Sequence, residues 1–120
     1  MASFTNILIS AIAALHLWFL TLEMFLWRKP IGLKTFHMTQ QLADSSAVLA
    51  ANQGLYNGFL AAGLVWGLLT SEPGAALSIK LFFLSCILIA GLFGAATVTS
   101  KILFVQAAPA AIALILLLAF

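Results

Sequence analysis

Charge is what this sequence has least of: five Lys and Arg against three Asp and Glu in 120 residues, with two His beside them. Cations so few and so scattered exclude a nucleic-acid-binding surface, which needs a basic patch or stripe. A single cysteine, Cys86, excludes an intrachain disulfide and reads as a small apolar residue. His16 and Glu23 stand apart in one apolar segment and His37 lies in a polar one, so the three or four ligands of a zinc site are not assembled and no metal is expected. There is no phosphate-binding loop and no nucleophile beside a base, so no cofactor is expected either. Repeats and low-complexity linkers are absent as well.

What the chain does have is apolar surface. Hydrophobic residues make up 64% of it and the mean hydropathy is +1.18, a composition that would precipitate as a water-soluble domain of this length. The expected partner is therefore a lipid bilayer. A hydrocarbon core of ~30 Å needs about 20 helical residues per crossing, so 120 residues allow at most four crossings. The expectation is an all-α, polytopic membrane protein: one four-transmembrane-helix bundle over 1–120, with helices at about 4–27, 47–69, 76–98 and 102–120.

Local signals set those bounds. The first segment lacks a basic start and is interrupted by His16 and Glu23, which favours a retained helix over a cleaved signal peptide. Trp27, Arg28, Lys29 and Pro30 end it, and the polar loop 28–46 follows, with room for an interfacial turn or short helix. Asp44, Ser45 or Ser46 can cap the second helix. Thr70 to Gly74 make a compact turn, and Thr99 to Lys101 the next break. Pro109 predicts a kink inside the last segment. With four crossings, Arg28, Lys29, Lys34 and Lys101 share one side and Lys80 is alone on the other. The positive-inside rule then makes loop 28–46 cytoplasmic and turns both termini outward.

Polar residues inside the apolar segments need protein or water partners, since lipid tails supply none. Ala50 to Gly58 carries Asn52, Gln53, Tyr56 and Asn57 in one such segment. His16 and Glu23 are seven residues apart on the first helix, hence on one face at levels roughly 10 Å apart. Matching depths from the cytoplasmic side pairs Asn52 and Gln53 with Glu23, and Asn57 with His16; Gln106 joins the shallow layer. Glu23 has three readings: a hydrogen-bonded lock between helices with Arg28 or Lys101 in reach, a ligand-binding or proton-carrying carboxylate, or a side chain that snorkels to the headgroups. Gly54 and Gly58, Gly63 and Gly67, and Gly91 and Gly94 let backbones approach closely, within the bundle or at a homodimer seam.

The residues His16, Leu22-Glu23-Met24-Phe25-Leu26-Trp27, Asn52-Gln53-Gly54-Leu55-Tyr56-Asn57-Gly58, and Gln106 with Pro109 resemble the family of small integral membrane proteins known as domain of unknown function 1304. The likeness covers essentially the whole chain. It implies a four-helix membrane protein and no activity, so it lends no catalytic role to any residue.

Two functions of different class follow, with a third behind them. In the first, Glu23, Asn52, Gln53, Asn57 and Gln106 line a polar pocket floored by His16 and Tyr56, which binds, or as a dimer transports, a small amphiphilic or lipid-like ligand. In the second, an intramembrane enzyme uses Glu23 and His16 as acid and base; their separation and the missing nucleophile weigh against it. In the third, the amides only lock helices together in a structural or accessory subunit. The binding reading is favoured.

Overall fold

A computed structural model describes residues 2–120. The chain is all-α, with no strand among the described residues: α1 Ala2–Met24, α2 Pro30–Thr35, α3 Gln40–Leu69, α4 Pro73–Thr97, a π-helical turn Leu103–Ala107, and α5 Ala108–Ala119. Two helices, Ser3–Met24 and Pro73–Thr97, are long and apolar enough to cross a membrane, and Leu103–Ala119 is a shorter apolar one.

The helix ends depart from the sequence expectation in ways that trace to capping. The second long helix starts at Gln40, not near 47, because Thr39 rather than Asp44, Ser45 or Ser46 supplies the cap: its Oγ1 accepts from the Leu42 amide at 3.1 Å. Asp44 instead accepts from the Gln40 side chain one turn back at 2.9 Å, and the hydroxyls of Ser45 and Ser46 donate to the Leu42 carbonyl. The polar loop is correspondingly short and holds α2. Lys29 is extended before Pro30, which opens α2 at its first position, as the ring's steric demands require. His37 closes α2 with φ of 53°, and the Met38 amide bonds back to the Leu33 carbonyl at 2.9 Å. That is the Schellman closure, with histidine where glycine is usual.

α4 starts at Pro73, three residues before the expected 76. Glu72 makes this possible, its two carboxylate oxygens accepting from the Gly74 and Ala75 amides at 2.9 and 2.6 Å. These bonds hold the Glu72 carboxyl below its ordinary value of 4.5. Pro109 does not break the last segment. It has no N–H to continue the ladder, and the turn before it widens, the Ala108 amide bonding to Leu103 five residues back.

The chain divides into two compact units. The first comprises Met1–Ala13 with Leu60–Phe120. Its core is Ile9, Ile12 and Ala13 of α1, Leu64 of α3, Leu84 and Ile87 of α4, and Ala110 and Ala113 of α5. Glycines set the helix spacing there. Gly63 lies under the Phe83 ring, and Gly67 against the Lys80 stem and Ile79. Gly91 meets the backbone of Ala107: a Cβ on it would lie 2.7 Å from the Ala107 nitrogen.

The second unit is Ala14–Phe59. There α1 and α3 pack with Gly54 facing Leu20, Glu23 and Met24, and Gly58 facing Leu20. Buried Gly32 sits on the carbonyls of Leu26 and Trp27. The Trp27 indole donates to Ser46 at 3.1 Å and its ring lies 4.8 Å from that of Phe36. These contacts close the connection between the two helices.

Candidate functional site

The site is built in the second unit, from the end of α1 and the start of α3. Within the second unit the buried positions of α3 are Ala43, Ala50, Gly54 and Asn57. The intervals of seven, four and three residues make one stripe along a helix face. Every member but Asn57 is alanine or glycine, so the backbones come close and Asn57 meets α1 without a larger neighbour holding it off. Asn57 is only 7% exposed, and its amide donates to Glu23 Oε1 at 2.5 Å.

That bond corrects the depth matching. Asn57 donates to Glu23, whereas matching by depth pairs it with His16, because the Gly54 and Gly58 contacts with Leu20, Glu23 and Met24 fix the register of α3 on α1. The hydrogen bond that Glu23 accepts comes from an amide, and Arg28 lines the cleft beside it. Asn52, Gln53 and Tyr56 lie on the exposed side of α3, where the Asn52 amide donates to the Tyr56 hydroxyl at 3.3 Å. Helical periodicity explains the split: 52, 53 and 56 fall between the buried positions 50, 54 and 57. His16 is wholly buried, its ring edge-on to Phe19 with centroids 5.2 Å apart. Gln106 belongs to the π-helical turn of the first unit and is half-buried.

Beside the Glu23 carboxylate an open cleft of about 400 Å³ is lined by Arg28, Lys29, Gln40 and Asp44, with Trp27 and Ala47 among its walls. The Gln40 amide donates to Asp44 and, at 3.4 Å, to the Arg28 carbonyl. The cleft thus places two carboxylates and two cations around one opening. Such a set can hold a small group bearing charge of either sign, or both, through charge-assisted hydrogen bonds. Of these, sequence reasoning brought only Arg28 near Glu23 and left Lys29, Gln40 and Asp44 out of the site, Gln40 and Asp44 because they were placed in a loop rather than in α3. The signal that would have put Asp44 on the helix is Ala43, seven residues before Ala50, which extends the α3 stripe back past it.

Among the described residues no group of three or more His, Cys, Asp and Glu could hold a metal ion. Nor does any buried side-chain nitrogen or oxygen among them lack a hydrogen-bond partner.

The family model described as "Protein of unknown function (DUF1304)" matches residues 10–118. The chain belongs to the DUF1304 family. A relative in Lactococcus lactis subsp. lactis (strain IL1403), the "Uncharacterized protein YpaA", is 32% identical over 113 residues, covering 92% of this chain and 93% of its own. No solved structure matches the DUF1304 chain. The family assignment agrees with the resemblance carried by His16, Glu23 and the Asn52 to Gly58 run. It brings no activity with it, so the function of this DUF1304 member is argued from its own geometry.

Proposed function

We propose that this DUF1304 protein is a polytopic membrane protein of four crossings, and that it binds a small amphiphilic, lipid-like ligand whose polar head enters the cleft beside Glu23. The membrane reading is supported by how little the apolar helices are covered. Only 28% of the apolar window in α1 and 22% of that in α4 is buried, whereas a core helix of a soluble protein is mostly buried. Large side chains such as Ile7, Phe93 and Phe104 stand on exposed faces, as expected against lipid. α3, at 30 residues, is about 45 Å long and exceeds a ~30 Å hydrocarbon core, so its polar first turns extend beyond it. The connection between α1 and α3, expected as loop 28–46, is assigned to the cytoplasm by Arg28, Lys29 and Lys34.

The observation that carries the binding reading is the Glu23 carboxylate, held by Asn57 at the edge of a charged cleft. Asn57 engages Oε1, and the cleft gives the carboxylate a route to an incoming group. A headgroup with an amine or hydroxyl would find Glu23 and Asp44 as acceptors, and an accompanying anion would find Arg28 and Lys29. Enzymatic use of Glu23 and His16 draws less support: His16 is wholly buried, about 10 Å along the helix axis from Glu23.

A second reading is favoured by the same bond. Asn57 to Glu23 is a helix-to-helix hydrogen bond at a glycine-lined approach, which suits a structural lock. Native mass spectrometry from mild detergent, comparing wild type with Glu23→Gln and Asp44→Asn, separates the two. An adduct present in wild type and lost in both variants supports the cleft. Identical adduct-free spectra, with a lower midpoint of unfolding for Glu23→Gln alone, support the lock.

A further inference from the structure

The first unit contains a second polar cluster that the Glu23 cleft does not use. Lys80 lies seven residues into α4, about 10 Å from its start at Pro73, in a helix otherwise free of charge. Its ammonium donates to the Asn6 side-chain oxygen at 3.0 Å, which leaves two of its three donors for other acceptors. It lines an open cavity of about 360 Å³ together with Thr5, Asn6, Leu77, Leu116 and Leu117. No carboxylate side chain is among the lining residues. The nearest in sequence, Glu72, spends both oxygens on the Gly74 and Ala75 amides.

A cation within a membrane helix is costly unless it is paired or reaches the interface. Lys80 is half-buried and its hydrogen-bond partner among the described residues is the neutral amide of Asn6. No Asp or Glu side chain among the residues lining the cavity balances its positive charge. Thr5, Asn6 and Lys80 give that cavity its polar groups, and Leu77, Leu116, Leu117 and Phe120 give it apolar wall. Such a lining fits a ligand with an anionic head and an apolar tail.

We propose that this cavity binds the phosphate headgroup of an anionic membrane lipid, with Lys80 as the charge partner, Asn6 orienting it, and the acyl chain lying on Leu77, Leu116 and Leu117. The phosphate is the chemistry that Lys80 selects, and the leucine wall selects a lipid as its source over free phosphate. The site rests on the membrane reading but not on the Glu23 cleft.

The test is native mass spectrometry of the full chain in mild detergent, titrated with phosphatidylglycerol, phosphatidylcholine or inorganic phosphate. Wild type is expected to retain phosphatidylglycerol about tenfold more tightly than phosphatidylcholine, Lys80→Met to lose that preference, and Lys80→Arg to keep it. Lys80→Met makes α4 more apolar, so its folding is not at risk. Glu23→Gln is expected to bind phosphatidylglycerol as wild type does, which separates this site from the cleft. Undiminished preference in Lys80→Met overturns the proposal, as does an equal loss in Glu23→Gln. Displacement of the lipid by millimolar inorganic phosphate overturns the choice of a lipid as the source.

Discussion

The approach of Gly91 to the backbone of Ala107 gives a sharp test of what holds the first unit together. A Cβ added to Gly91 would lie 2.7 Å from the backbone nitrogen of Ala107, 2.9 Å from its Cα and 2.9 Å from its Cβ. Backbone atoms cannot rotate aside. Ordinary van der Waals contact begins near 3.4 Å, so Gly91→Ala must drive α4 and the π-helical turn apart by roughly half an ångström or more. Overpacking of this kind costs about 1–3 kcal/mol, while replacing a mid-helix glycine with alanine returns up to about 1 kcal/mol. The net expectation is a loss of about 1–2 kcal/mol. Gly94 is the control: its Cβ would meet only the Ile102 side chain, at 3.1 and 3.3 Å, which can turn away, so Gly94→Ala should be neutral or slightly stabilising. Unfolding in mixed micelles of mild detergent and sodium dodecyl sulfate, followed by tryptophan fluorescence, measures both. Equal stability of the two variants would refute the claim that the Gly91 to Ala107 backbone contact sets the spacing.

Asn57→Ala removes the amide that meets Glu23 and should cost about 1 kcal/mol in the same assay, the scale of a membrane helix-to-helix hydrogen bond, while Asn52→Ala on the exposed side should stay within about 0.5 kcal/mol of wild type. His37→Gly relieves a left-handed residue at the end of α2 and should stabilise by about 1 kcal/mol; a loss instead would show that the imidazole makes a contact worth more than the strain. Glu72 has its carboxyl lowered by the Gly74 and Ala75 amides, so its capping contribution is fully present above its ordinary value of 4.5 and lost as pH falls through the lower folded value. Thermal unfolding between pH 6 and about pH 3 should therefore show an acid-induced loss that Glu72→Gln reduces; an unchanged profile in that variant would exclude the cap as its source.

Composition and helical periodicity made much of this chain legible. The end of α3 near Leu69 was readable because the Thr70 to Gly74 turn stops a helix by covalent geometry, whereas α1 ends at Met24, three residues before the expected 27, and Pro30 opens α2 instead of closing α1. The starts of α3 and α4 were misplaced because capping was assigned by proximity. Several residues near each start can accept from free amides, and which one does so depends on where packing lets the helix begin. Thr39 and Glu72 do so here. A turn or short helix was expected in the loop and α2 is such a helix, but its left-handed histidine was not expected, since the residue type alone gives no reason for His37 to take that conformation.

The Asn52 to Gly58 run shows why polar residues inside an apolar helix are not one layer. A hydrogen bond across two helices forms only where the backbones come close enough for short side chains to meet. On α3 that face is set by Ala50, Gly54 and Asn57, and only the last of these is polar. Glu23 and Asn57 are therefore joined by the glycines beside them, whereas Asn52, Gln53 and Tyr56 point elsewhere and must find partners of their own, as Asn52 does on Tyr56. Gly54 and Gly58, and Gly63 and Gly67, each already face a helix of their own chain. A second copy of the chain would have to dock on a face other than these glycine pairs, and the exposed side of α3 carrying Tyr56 and Phe59 is one such face, polar at Asn52 and Gln53 and aromatic beside them.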